Sequence, residues 1–318
     1  MKEITFQQVS DAVRALCIEA NTVLPQDLRC AITRAEETEQ SPVGRAILSD
    51  LKENYEFAEE KGLPICQDTG MAVVFLNWGQ ECHFTGGALE DAVNDGVARG
   101  YVEGHLRLSV VADPLRRGNT NNNTPAILHL RMVPGDQVDI TVAPKGFGSE
   151  NMTTLRMFNP SVTQRQVEDH IVECVAKAGS NPCPPVIVGV GLGGVSETAA
   201  ELAKRALLRP VGEHHPDPYY AEMESRILER VNALGVGPQG LGGTTTALWV
   251  SINTCGTHIA GMPCAVNLGC HVTRHAPRCA VNSGKRNRFR LTPEAIFIFY
   301  RTLYPFSAAP GGPRLPRG

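Results

Sequence analysis

The run PPVIVGVG from Pro184, followed after LGGV by SETAAELAKRALL, limits most severely what this chain can fold into. An uninterrupted apolar stretch rich in β-branched residues reads as a strand buried on both faces, and the segment after it repeats apolar residues at helical spacing. Such a strand needs cover on either side. The remaining pattern supplies it, with helical spacing over residues 5–20, 44–61, 164–178 and 219–234, and with Ser10 and Ser41 near the first two starts. MAVVF from 71, RLSVVA from 107, AILHLRMV from 126, VDITVAP from 138 and ALWVSINT from 247 predict further strands. Pro134-Gly135-Asp136 separates the runs at 126 and 138 and predicts a hairpin there. Interleaved helices and strands with a hairpin predict one large α/β domain, mixed α+β in character, with helices around mixed sheets over residues 1–276.

The sequence of 318 residues carries a formal net charge of -3 and a pI near 6.3, so no bulk field favours nucleic acid or an anionic membrane. Small molecules or other proteins are the expected partners. The N-terminus lacks the apolar core of a signal peptide and nowhere do 18 apolar residues run together, so a soluble, cytoplasmic protein is expected. Composition changes at Pro277. Up to Ala276 there are 22 basic and 32 acidic residues, whereas 277–318 holds 8 basic and 1 acidic. That stretch reads as an atypical basic tail, either flexible or outside the native coding frame.

GVGLGG, Gly189 to Gly194, matches the letters of a dinucleotide fingerprint. The ribose-binding acid that should follow about 20 residues later has only Glu213 as a candidate, inside the loop-like VGEHHPDP. The glycines therefore read as points of close backbone approach, and the fold is not expected to be a Rossmann fold. An NAD-dependent dehydrogenase is the alternative that a true fingerprint would support.

Ten cysteines are too few for a disulfide scaffold, and none forms a CxxC pair. Cys17 and Cys174 fall on apolar helical faces and read as fillers. Three others differ. Cys66 lies in CQDTG beside an amide, a carboxylate and a hydroxyl that a buried filler does not need. Cys183 lies in NPCPP, where prolines stiffen the backbone, and Cys270 lies in NLGCHVTRH, near His271, Arg274 and His275. They are so far apart in sequence that only tertiary folding brings them together.

CQDTG, KGFGSEN, NPCPPVIVGVGLGG, LRPVGEHHPDP, GVGPQGLGGTTT and GTHIAGMPCAVNLGCHVTRHA together resemble the α subunit of the iron-sulfur, class I fumarate hydratases and of L-tartrate dehydratase. The resemblance spans roughly residues 5–276 and stops at the basic stretch. It implies that Cys66, Cys183 and Cys270 hold a 4Fe-4S cluster with one iron free of protein ligands, acting as a Lewis acid in reversible hydration of fumarate to malate. It also implies Asp68 as proton donor or orienting group and His258 as an active-site histidine. Gln67, Arg107, Lys145 and the backbone at Gly148 become substrate contacts by the same resemblance. The usual pattern is KGGGSEN, so Phe147 is a departure. The general base belongs in this family to a region missing here, which implies a β subunit, an α2β2 assembly and an α chain inactive alone. Tartrate-type chains differ at the Lys and SEN of KGFGSEN and at GGTTT, so the resemblance favours fumarate. A non-catalytic iron-sulfur protein is the other alternative.

Overall fold

The computed structural model describes residues 2–280. Its order begins β1 (Lys2–Thr5), α1 (Phe6–Thr22), α2 (Gln26–Thr38), α3 (Pro42–Lys61), β2 (Met71–Gly79), β3 (Cys82–Thr85) and α4 (Leu89–Glu103). It continues with β4 (Ile127–Val133), β5 (Val138–Lys145), the single turn α5 (Phe147–Glu150), β6 (Thr154–Phe158), α6 (Gln164–Ala178) and β7 (Val186–Gly194). The chain then forms α7 (Ser196–Ala206), α8 (Pro218–Asn232), β8 (Ala247–Thr257), β9 (Met262–Gly269) and β10 (Ala276–Ala280). Two four-stranded sheets of mixed direction run in the orders β10-β5-β2-β4 and β6-β9-β7-β8, and β1 pairs with β3 in parallel. This is the expected mixed α/β class. Among the described residues no helix is long and apolar enough to cross a membrane.

Strand β7 is interior, parallel to β8 and antiparallel to β9. Val186, Val188 and Val190 belong to one buried cluster with Ile171 of α6 and Ile227 of α8, while α7 packs on β7 through its glycines. That packing explains GVGLGG. A Cβ on Gly191 would stand 2.0 Å from the Ala199 carbonyl, and one on Gly189 would stand 2.3 Å from that of Ala203. The glycines let α7 seat on the strand, and all six residues lie within β7 rather than in a phosphate-cradling turn.

The β4–β5 hairpin does not form. Strand β2 lies between the two, parallel to β4 and antiparallel to β5. Residues 72–79 of β2 are buried, and its continuation wedges into the corner at Gly135. There the N–H groups of Gly79, Gln80 and Glu81 donate to the carbonyls of Gln137, Val133 and Gly135. RLSVVA forms no strand either: the N–H groups of Ser109 and Val110 donate to Asn123 Oδ1, a side-chain partner in place of a neighbouring strand. Ser10 is not a helix start. It sits buried inside α1 and donates to Asp95, while Thr5 and Gln8 form the capping box of that helix.

Helix α4 escapes the sequence pattern because Gly96 and Gly100 each lower helix propensity by about 1 kcal/mol. Packing explains them. A Cβ on Gly96 would come 2.6 Å from the Ser10 carbonyl, and one on Gly100 would come 2.8 Å from Cys17 Cβ, so the pair lets α1 and α4 close. Strand β10 pairs with β5 and places the compositional change at Pro277 inside a strand. The rest of the basic stretch, residues 281–318, lies outside the described residues.

The GGTTT segment closes on a buried carboxylate. Glu39, fully buried after α2, accepts from the N–H groups of Ser41, Thr244 and Thr245 and from Thr244 Oγ1. Burial works to raise its pKa, but these donors outweigh it and hold the carboxyl at about 2. Because the folded value lies below the unfolded one, this stabilisation is complete above the usual carboxylate range and is lost as pH falls through about 2. Glu39→Gln is therefore expected to lower stability at neutral pH by roughly 1–3 kcal/mol, with the gap to wild type narrowing in acid, as read by urea unfolding. A gap independent of pH would contradict the assignment. Gly96→Ala is expected to cost about 1–3 kcal/mol through overpacking against α1, and an unchanged urea midpoint would contradict the close-approach account.

Candidate active site

The CQDTG loop joins α3 to β2 and is tied down along its length. Ile65 N–H donates to the Asn21 carbonyl, the Thr69 hydroxyl accepts from Arg107 N–H, and buried Tyr101 donates through its hydroxyl to the Thr69 carbonyl. Asn123 Nδ2 donates to the Gly70 carbonyl. Gly70 adopts φ +72°, and a Cβ there would stand 2.7 Å from the Lys145 carbonyl carbon, so the start of β2 needs glycine to pass the end of β5. Asp68 joins the same two segments: Oδ1 accepts from Gly70 N–H at 3.0 Å and Oδ2 from Phe147 N–H at 2.9 Å.

Cys183 precedes β7 and adopts φ 53°, a left-handed conformation that a residue with a Cβ takes only where its surroundings impose it. Its carbonyl accepts from His271 N–H, and Gln239 Nε2 donates to the neighbouring Pro184 carbonyl at 2.8 Å. Cys270 follows β9, where Thr273 N–H and hydroxyl both donate to its carbonyl. Gly269 before it makes room, since a Cβ there would meet Thr273 Oγ1 at 2.0 Å.

Cys66, Cys183 and Cys270 line one cavity of about 210 Å³, together with Gln67, Asp68, Lys145, Gly148, Lys204 and Arg274. Burial pushes the Cys183 thiol up, and the neighbouring Cys270 and Cys66 push it further. Burial likewise raises Cys270, against the opposing pull of the Arg274 guanidinium and the Val272 N–H. Among the described residues no three or more His, Cys, Asp or Glu side chains are gathered tightly enough to hold a single metal ion. Thiolates that ligate different irons of one cluster stand further apart than ligands of one ion, and three soft sulfur donors beside cationic side chains suit such a cluster.

Cys66, Cys183, Cys270, Gln67, Asp68, Lys145 and Gly148 thus meet at one cavity. Lys145 is committed elsewhere: its ammonium donates to Ser149 Oγ at 2.7 Å and the Leu268 carbonyl at 2.8 Å, and it pairs with Glu150 at 3.4 Å. Burial lowers its pKa although Glu150 opposes the shift. Glu150 also pairs with Lys204, so the SEN segment locks two cations into the cavity wall. Phe147 is 47% exposed and absent from the lining, so its added bulk points away. The side chain of Arg107 is exposed and outside the lining, and only its backbone braces Thr69. His258 is exposed on a separate hollow of about 320 Å³ with Tyr219 and Ile259, where its Nδ1 accepts from Ala260 N–H.

Gln239, inside the GVGPQGLGGTTT motif but not singled out there, and Lys204, which has no sequence signal of its own, also belong to this neighbourhood. Gln239 Nε2 lies 3.2 Å from His271 Nδ1, so GVGPQG braces both cysteine segments. Arg274 is likewise buried at the cavity and donates to the Asp68 carbonyl.

A mixed α/β chain thus brings three cysteines from separate loops to one cavity that Lys145, Lys204 and Arg274 also line. The profile of the family described as "Fumarate hydratase (Fumerase)" matches residues 10–278, and the chain belongs to that family of hydro-lyases. It is 38% identical over 275 residues to the "Putative L(+)-tartrate dehydratase subunit alpha" of Methanocaldococcus jannaschii, covering 85% of this chain and 96% of the relative. It is 31% identical over 276 residues to the L(+)-tartrate dehydratase subunit alpha of Escherichia coli strain UTI89, covering 86% and 91% respectively. The subunit alpha of Shigella sonnei is 30% identical over 276 residues, with the same coverage.

Asp68→Ala removes the acceptor of two backbone N–H groups and is expected to lower stability by about 1–3 kcal/mol in urea unfolding. Asp68→Asn, keeping one carbonyl acceptor, is expected to cost less. Equal stability of Asp68→Ala and wild type would contradict the bracing role.

Proposed function

We propose that this chain is the cluster-bearing α subunit of a hydro-lyase that interconverts fumarate and (S)-malate in the cytoplasm. The observation that carries this reading is the meeting of Cys66, Cys183 and Cys270 at one cavity in a chain of this family. Those three thiolates would hold a 4Fe-4S cluster through three of its irons, and reducing surroundings keep such thiols available. When bound, the cluster supplies a Lewis-acid iron that eases departure of hydroxide as water.

The protein's own groups bind and orient. Gln67, exposed at the cavity, offers an amide to a substrate carboxylate, and the backbone at Gly148 is open to close approach. Lys145 and Lys204, held by Glu150, set a positive field that favours a dianion. Asp68, fixed by two N–H groups, orients what enters rather than moving freely. Arg107 and His258 remain family-based assignments, and their exposure makes them available to a second chain. The proposed general base comes from a β subunit, consistent with relatives named as α subunits, and α2β2 is the proposed assembly.

L(+)-tartrate is the second reading, favoured by relatives named as L(+)-tartrate dehydratase subunits. Both substrates differ in hydroxyl count but share the four-carbon dicarboxylate frame. Anaerobic reconstitution with iron and sulfide, with and without a β chain, followed by assay of both substrates, is the test. Turnover of fumarate only in the assembled complex, with iron lost in Cys→Ser variants at 66, 183 and 270, is expected. Full turnover by the isolated chain, or iron retention in all three variants, would overturn the proposal, and tartrate turnover alone would select the second reading.

A further inference from the structure

We infer that Arg274 is a positioning residue for the cluster site, supplying the positive charge that an anionic iron-sulfur core among Cys66, Cys183 and Cys270 requires. This rests on the iron-sulfur reading proposed above. Arg274 is 4% exposed, yet among the described residues no carboxylate pairs with it. Other buried arginines do not share that condition: Arg209 pairs with Glu224, and Arg205 with Glu201. One end of the Arg274 fork donates to the Asp68 carbonyl, while its Nε is buried without a partner among the described residues, in a side chain that lines the thiol cavity.

A buried cation without a counter-charge is costly, so its presence points to an anion that the described residues do not provide. Three thiolates with inorganic sulfide form such an anion, and N–H donors to sulfur stabilise it. Asp68 takes the arginine through its backbone carbonyl and forms no ion pair with it, while its carboxylate accepts from the N–H groups of Gly70 and Phe147. The turn that joins Cys270 to Thr273 brings the arginine back to the cavity, so one residue links two of the three cysteine segments.

The test uses the full chain with Arg274→Met and Arg274→Lys, reconstituted anaerobically, reading iron and sulfide per chain, visible charge-transfer absorbance and the melting temperature of each apo form. Arg274→Met loses the hydrogen bond to the Asp68 carbonyl but also relieves an unpaired buried charge, and the relief should offset the loss, leaving the apo melting temperature equal to or above that of wild type, whereas loss of a purely structural strut would lower it. Iron retention under a chelator challenge is expected to fall about tenfold in Arg274→Met. Arg274→Lys should fall between Arg274→Met and wild type, because it keeps charge but not the fork. The inference is overturned if neither variant loses iron, or if iron loss occurs only where apo melting is also lowered. A wild-type chain that takes up no cluster removes the iron-sulfur reading itself, and this inference with it.

Discussion

The arrangement depends on how the CQDTG loop is clamped against the end of β5. Asp68 is held from both sides, its carboxylate by the N–H groups of Gly70 and Phe147 and its carbonyl by Arg274. Glycine at position 70 permits the approach, since any Cβ would collide with Lys145. Cys66 precedes this clamp by two residues, so the contact that fixes the strand start also fixes the thiol. A looser joint would leave three cysteines on independent loops, and ordering them would cost conformational entropy when an inorganic core assembled.

The two sheets contribute unequal parts. The β2–β5 pair carries the polar loop and a cationic wall, while β7 and β9 bring Cys183 and Cys270 on segments cross-braced by His271 and Gln239. Glu150 couples the sides by pairing with Lys145 and Lys204 while accepting from Asn267 Nδ2 of β9. The SEN segment therefore acts as a polar rivet at the cavity. Family membership gives this geometry its chemical meaning, and the geometry shows which motifs act as walls and which as braces.

Much of the candidate site's lining was legible because its chemistry departs from what a core needs. A cysteine flanked by Gln, Asp and Thr, or by three prolines, has no packing reason for such neighbours, whereas Cys17 and Cys264 sit at 0% exposure as fillers should. The β4–β5 hairpin was misread because turn chemistry is local, while the insertion of β2 between its arms is decided by burial of β2. Helix α4 was hidden because its glycines answer to α1 and not to their own helix. Lys145 was legible as a cation but not as a spent one, since Leu268 and Ser149, which take its hydrogens, are specified only by the tertiary fold. His258 illustrates the opposite limit, for a motif carries a residue's identity without the cavity it faces.

The most direct measurement is iron-edge anomalous scattering from crystals of the anaerobically reconstituted chain. The account predicts anomalous peaks confined to the cavity bounded by Cys66, Cys183 and Cys270, with one iron lacking a sulfur from the protein. Iron bound elsewhere, or an iron-loaded chain whose three sulfurs contact none of it, would contradict it.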